Sequence, residues 1–390
     1  MTNLLDLVLT HATSADESQL REAVAAYVRE VRASAGKGER GLVTQAERWV
    51  QAHPTTAFAF DSAGVATLHV GPHHWQAGRF ETVSMGELRR RAAALRQGSG
   101  RLRLWVFDGA SPATDIGSLQ ATSGDDTLFQ VASQFNCLES PGPYVTSVAS
   151  YFSDSTQGPR AAISAFPATL LRHYAAPGPD GARFVQATNG KQIDLLAEAV
   201  GPGVVRNGYF DAEGVADPQA VADALESRFD ALRVGVHDAA QVVLGYDWDG
   251  AVADSAQRHI SQVCTSTVAG GMYRGAANLG PAAFKVAARQ LLRAAYLGTL
   301  LAAVALGRTR VVLTLIGGGV FHNPIPLIWE AIAWAMDETA PRLSHDLDVV
   351  VNGRNLGEVM DIDASILPEA RRRGGAVLRF DHEGLATLWR

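Results

Sequence analysis

Three consecutive glycines, Gly317, Gly318 and Gly319, follow the apolar run Val311 to Ile316 and precede a helical pattern that begins near Ile325. Residues without side chains let backbone N–H groups approach an anion closely. The start of the next helix adds unpaired donors at the positive end of its dipole. The chemistry on offer is phosphate binding. No Gly-Lys-Ser or Gly-Lys-Thr follows, which excludes a P-loop, and His322 stands where a dinucleotide fingerprint needs its third glycine. Three other polar segments could do chemistry: Thr114-Asp115-Ile116-Gly117, the stretch Ser133 to Glu139, and Asp154-Ser155-Thr156-Gln157-Gly158-Pro159. Taken singly, Asp115 reads as a helix cap, Asn136 as a turn residue and Asp154 as the N-cap of the helix that follows. His322 has no Ser or Cys nucleophile motif beside it and reads as a loop donor or a bystander. His73-His74 reads as a surface pair.

The elements that must hold these residues follow from periodicity. Leu4 to Gln51 carries helical spacing, with Leu20, Ala23, Val24, Tyr27, Val28 and Val31 on one face. Short β-like pieces follow at Phe58 to Phe60 and Val65 to Val70, then a helix from Met85 to Arg96 closed by Gly98-Ser99-Gly100. From Arg101 the chain alternates: strands at Arg103 to Phe107 and Thr127 to Ala132, helices at Arg160 to Tyr174 and Pro218 to Phe229. A long helix runs from Pro281 to about Leu306, then come the strand Val311 to Ile316, a helix Ile325 to Asp337 and a strand Leu347 to Val351. Such alternation predicts an α/β fold, a layered sheet with helices on both faces, whose ligands collect at the carboxyl ends of the strands. Residues 1–100 form an α-rich N-terminal extension with short strands, 101–390 the main domain, and the region near 178–256 an insertion.

Of 390 residues, 47% are hydrophobic and 19% charged, an enzyme-like balance, and the formal net charge of -6 argues against a nucleic-acid partner. Arg89 to Arg91 and Arg371 to Arg373 lack interleaved aromatics and read as solvated faces. The chain has two cysteines, Cys137 and Cys264, in strand-like apolar stretches, where they read as small buried hydrophobes. Neither CxxC, HExxH nor a Cys/His cluster is present, so no metal and no disulfide framework is expected. Met1 to Asp6 lacks a basic region followed by an apolar core, and Ala294 to Leu306 is too short to span a bilayer. A cytoplasmic protein without a membrane partner is the expectation.

In their order, the segments Asp115-Ile116, Phe129 to Glu139 (Phe-Gln-Val-Ala-Ser-Gln-Phe-Asn-Cys-Leu-Glu), Asp154 to Pro159 and Ile316 to Asn323 resemble the macrodomain family. The match looks like the divergent branch of bacterial effectors that remove ADP-ribose from arginine on ubiquitin. It covers about Arg101 to Val351, including Gln262 to Ser266. Ser133-Gln134-Phe135-Asn136 replaces the usual Asn-Ala-Ala-Asn turn, and Leu297 stands where the branch carries an acidic residue.

The resemblance implies a three-layer macrodomain-like mixed sheet that binds ADP-ribose with no cofactor. Asp115 would accept from the adenine amine, with Ile116 beside it. Gly317, Gly318, Gly319, Val320 and Phe321, with Asn323, would hold the diphosphate, and a bulky residue at Gly318 would block its approach. Asn136, Thr156, Gln157 and Gly158 would wall the distal ribose. Cleavage of an N-glycosidic bond there needs a carboxylate that positions or deprotonates water. Asp154 is the first choice and Glu139 the second, with Asn136 and Gln157 orienting water or ribose hydroxyls. The implied activity is metal-independent hydrolysis of mono-ADP-ribose from protein side chains, arginine in particular, with a mono-ADP-ribosylated, ubiquitin-like protein as partner. Two alternatives stand beside it: a non-catalytic ADP-ribose reader or nucleotide-sensing module, and a hydrolase of a small ADP-ribose derivative.

Overall fold

Side-chain caps and apolar faces start the chain. Asn3 and Asp16 accept backbone hydrogen bonds at the heads of α1 (Leu4–His11) and α2 (Glu17–Ser34), and α2 buries Leu20, Val24, Tyr27, Val28 and Val31. α3 (Gly41–Ala52) completes the helical front end. The computed structural model describes residues 2–14, 16–95, 99–213, 215–252, 258–270 and 278–390. Strands β1 (Phe58–Phe60), β2 (Ala66–Val70) and β3 (His73–Ser84) form an antiparallel run. Ser84 then caps α4 (Met85–Ala94). Arg96 and Gly98, at the expected end of that helix, lie outside the described residues.

The next elements are β4 (Leu102–Asp108), α5 (Ile116–Thr122), β5 (Thr127–Ala132), α6 (Gln157–Ser164) and α7 (Phe166–Tyr174). A single helix was expected from Arg160 to Tyr174. It breaks at Ala165 (φ -111°, ψ 51°), because Pro167 has no N–H to continue the ladder and fits only in the first turn of a new helix. Two small hairpins, β6 (Ala176–Pro177) with β7 (Arg183–Phe184) and β8 (Val205–Arg206) with β9 (Tyr209–Phe210), flank α8 (Ala197–Val200). After α9 (Pro218–Ser227) come β10 (Arg233–Gln241), β11 (His259–Thr265), α10 (Pro281–Ala305), β12 (Arg310–Thr314) and α11 (Ile325–Thr339). The chain closes with β13 (Leu347–Arg354), α12 (Leu356–Val359), α13 (Leu367–Arg372), β14 (Ala376–Phe380) and β15 (Leu385–Trp389).

Among the described residues, one mixed sheet of eleven strands unites these pieces in the order β1-β2-β3-β10-β11-β5-β12-β13-β4-β14-β15. Strands β11 to β14 in that order are parallel neighbours, and antiparallel strands extend both edges. Helices cover both faces. Gln130 on β5 reaches Ala295 O and Thr299 Oγ1 of α10 on one side. Gln262 on β11, level with Phe129 and therefore on the opposite face, reaches Ala161 O of α6. The buried helix α10 carries the Ala294 to Leu306 run as core, and among the described residues no helix is long and apolar enough to cross a membrane.

Two boundaries differ from the sequence reading. Residue 100 does not separate two sheets: β3, absent from that reading, pairs with β10 from Arg233↔Ser84 to Asp238↔Arg79, so the front strands continue the main sheet. The expected insertion 178–256 contains β10, an interior strand; its off-sheet part is the stretch of short hairpins and α8–α9, while Gly214 and residues 253–256 lie outside the described residues. Cys264 lies on β11, but Cys137 sits in a turn at φ 62°, not on a strand. The arginine clusters carry ion pairs, and Arg373, held by Glu369 and Asp337, is largely buried rather than solvated.

Candidate functional site

At the carboxyl ends of β5, β11, β12 and β13 lies a cavity of about 300 Å³, lined by the loops that leave those strands. That volume is at the low end of the ~300–1,000 Å³ of small-molecule sites. The loop after β5 turns sharply. Cys137 N–H donates to Gln134 O (2.9 Å), Gln134 N–H to Leu138 O (2.8 Å), and Asn136 Oδ1 accepts from Leu138 N–H (3.1 Å). This turn returns Glu139 to the cavity. Burial pushes the Glu139 carboxyl well above the usual carboxylate range, and the nearby charge of Asp154 pushes it further.

The backbone of Glu139 is pinned from behind. Its N–H donates to Tyr151 Oη (2.8 Å), and Tyr151 Oη lies 2.7 Å from His173 Nε2. Burial, aided by the Arg172 charge, depresses His173 to about 3, so its ring is neutral and Nε2 accepts from the Tyr151 hydroxyl. Glu139 Oε2 is 3.4 Å from Gln134 Nε2. The opposing wall is the head of α6. A Cβ on Gly158 would come within 2.4 Å of Glu139 Oε1, so only glycine lets α6 approach this carboxyl.

Asp154 lines the cavity half-buried, with Oδ1 accepting from Thr156 N–H at 2.9 Å. The N-cap of α6 is Thr156, two residues later, so the expected capping role of Asp154 is replaced by a local turn. Thr156 and Gln157 also line the cavity, but Gln157 Oε1 is already engaged by Ile116 N–H at 3.0 Å.

The glycine loop forms the floor. Gly317 (φ 74°) is wedged so that a Cβ would meet Thr267 Cγ2 at 2.4 Å and Asn323 Nδ2 at 2.7 Å. Asn323 ties the loop down by donating to Val268 O (3.0 Å) and Gly317 O (3.3 Å). Among the described residues, the Gly319 and Val320 amides have no protein acceptor, and both residues are exposed on the cavity rim. A Cβ on Gly318 would point at Ile325 Cδ1 (2.6 Å) and Ile328 Cδ1. A bulky side chain there would therefore lift the loop from α11 rather than fill the cavity, which corrects the expected occlusion. His322 is exposed at φ 52°.

Glu139, Asp154, Thr156, Gln157, Gly158 and Gly317 to Phe321 are thus brought together. Asp115, Ile116, Asn136 and Asn323 are not on the cavity wall. Asp115 is buried, caps α5 through Ser118 N–H (3.0 Å) and pairs with Arg160 Nη1 at 2.5 Å, which leaves its carboxylate little capacity for an adenine amine. Asn136 Nδ2 donates to Gln192 Oε1 (2.9 Å), so it braces the turn. Sequence reading missed Tyr209, whose ring stands 6.0 Å from that of Phe321 and whose hydroxyl donates to Ser140 O at 2.5 Å. It also missed Arg354 and Asn355, just beyond the strand it ended at Val351. No local signal marks either. Leu297 is wholly buried, while its neighbour Tyr296 accepts from Ile316 N–H (3.1 Å) under the loop.

Gln134 Oε1, Thr267 Oγ1, Thr314 Oγ1 and Asn352 Oδ1 are buried without a protein hydrogen-bond partner among the described residues, and all four residues line the cavity. Buried polar atoms are ordinarily hydrogen-bonded, so these four are groups that a polar molecule in the cavity would meet.

No protein-family model and no curated protein matches the chain. Solved structures similar to it include a poly(ADP-ribose) glycohydrolase from Thermomonospora curvata, at 16% identity and a TM-score of 0.42, over 86% of this chain and 98% of that one. The T. curvata enzyme bound to the inhibitor ADP-HPD matches at 14% identity and 0.39, over 80% and 92%. The Deinococcus radiodurans glycohydrolase in complex with ADP-ribose matches at 14% and 0.37, over 75% and 93%. At such distances, what those proteins bind does not by itself transfer to this chain.

Proposed function

We propose that this chain is a macrodomain-like hydrolase that cleaves the N-glycosidic bond between mono-ADP-ribose and a protein side chain, with arginine as the linked residue. The observation that carries the reading is the pairing of Glu139 and Asp154 across one cavity whose floor is a glycine loop with outward amides. In the reading, the loop amides of Gly319 and Val320 hold the diphosphate. The distal ribose lies toward Gly158, between the two carboxyls. Glu139, kept protonated by burial, gives its proton to the leaving nitrogen as the C–N bond breaks. Asp154 orients a water and takes its proton as the C–O bond forms. Asp154 keeps the water-activating role that the sequence reading ranked it first for, and Glu139 is added as the acid.

Incubation with proteins mono-ADP-ribosylated separately on arginine, serine and glutamate, followed by measurement of released ADP-ribose, tests it. Release from the arginine-linked protein is expected. Tight ADP-ribose binding with release from none would make the chain a reader instead.

A further inference from the structure

Two strands over from β5, whose following loop carries Glu139, β13 leaves the sheet through a bulge between Asn352 and Arg354, and Arg354 takes the left-handed conformation (φ 46°) that few non-glycine residues adopt. The strained backbone aims a half-buried arginine at the cavity, one strand over from the glycine loop. Among the described residues its guanidinium makes one hydrogen bond, a long one from Nη1 to Thr114 Oγ1 at 3.4 Å. Among the described residues no carboxylate lies within ion-pair distance of it, and no aromatic ring of the protein stacks on it.

The nearest acids are already committed. Arg160 holds Asp115 (2.5 Å) and Asp247 (2.7 Å) and lies 4.9 Å from the Trp248 ring. Asp115 thus faces two arginines, and its ion pair is with Arg160 rather than Arg354. Burial pulls the Arg354 pKa below its usual value, and the charge of Asp115, already paired with Arg160, offsets that only in part. What this end of the cavity lacks is negative charge, and a neutral base or sugar does not supply it. A guanidinium presents a planar fork of donors that matches two oxygens of a phosphate.

We infer that Arg354 is the residue that binds the nucleoside-side phosphate of the ligand, making the site selective for nucleotides over nucleosides. The inference rests on the proposed function for the identity of the nucleotide, but not for the phosphate contact itself. The cavity is then polarised along its length. Carboxyls stand where the bond breaks, and a cation stands where the phosphate is gripped.

Calorimetric titration of ADP-ribose, AMP, adenosine and inorganic pyrophosphate into wild type, Arg354→Gln, Arg354→Ala and Arg354→Lys tests this, with the Gln variant preserving bulk should Ala unfold. Loss of the charge should weaken ADP-ribose and AMP by ~10-fold or more, the scale of one charge-assisted hydrogen bond, and leave adenosine within about twofold. Lys, a point charge without the fork, should restore part of the loss. Equal losses for AMP and adenosine would mean that Arg354 stacks on the base, and would overturn the inference. If wild type binds no ADP-ribose, the proposed function falls, and Arg354 is judged on pyrophosphate alone. Pyrophosphate binding that is absent, or unchanged in Arg354→Gln, would then overturn the phosphate contact as well.

Discussion

Two carboxyls, Glu139 and Asp154, line one cavity in different surroundings. Burial, chiefly, holds the Glu139 carboxyl well above the usual carboxylate range in the folded protein. The unfolded chain ionises this group first, so the stability it confers is full below about pH 4.5 and is lost as pH rises toward the folded pKa. Glu139→Gln removes that loss. Its melting temperature should exceed wild type at pH 7 to 8 and converge with it near pH 4, while ADP-ribosyl hydrolysis is abolished. A variant that melts below wild type at pH 8 would contradict the buried-acid assignment. Asp154→Ala should keep ADP-ribose affinity and lose ~10²-fold or more in turnover, the usual scale for a general base; parallel loss of binding would make it a ligand contact only. Sequence ranked Asp154 first because its polar turn was visible in one dimension. Glu139 depends on the Asn136 turn and on Tyr151 and His173, which chain order does not bring together. Asp115 stood out in sequence because a carboxylate at a helix start can cap, pair or bind; in the structure it caps α5 and pairs with Arg160.

Among the elements, the glycine loop was legible because strand, triplet and helix are contiguous. Which glycine does what was not. Gly317 combines a positive φ with a Cβ position against Thr267 and Asn323, whereas a Cβ on Gly319 meets nothing within 4 Å. Gly317→Ala should therefore lose about 1 kcal/mol or more in denaturant unfolding, and Gly319→Ala should stay within about 0.5 kcal/mol. Equal effects would show that the loop is not seated as described. Tyr209 and Arg354 were invisible for another reason. One rides on a two-residue hairpin and the other on a bulge, and neither leaves a periodic signature.

On the scale of the whole molecule, alternating strands and helices announced the parallel centre of the sheet, but not its edges. β3 alternates imperfectly, with Gly78 at φ 83° beside a register shift, so its pairing with β10 could not be read from pattern alone. The consequence is that residues 1–100 cover an interior edge of the sheet. A fragment beginning at residue 101 would bare the long edge of β10 and the apolar surface beneath α4, and should be insoluble or aggregated in size-exclusion chromatography; a monomeric, cooperatively melting fragment would contradict that. The same frame holds the cavity together, since the loops that line it leave the carboxyl ends of β5, β11, β12 and β13, neighbours in one sheet. The most direct test of the account is release of ADP-ribose from an arginine-linked mono-ADP-ribosylated protein by wild type and Glu139→Gln at pH 7. The account predicts release by wild type and none by the variant with ADP-ribose affinity retained; equal release by both would contradict it.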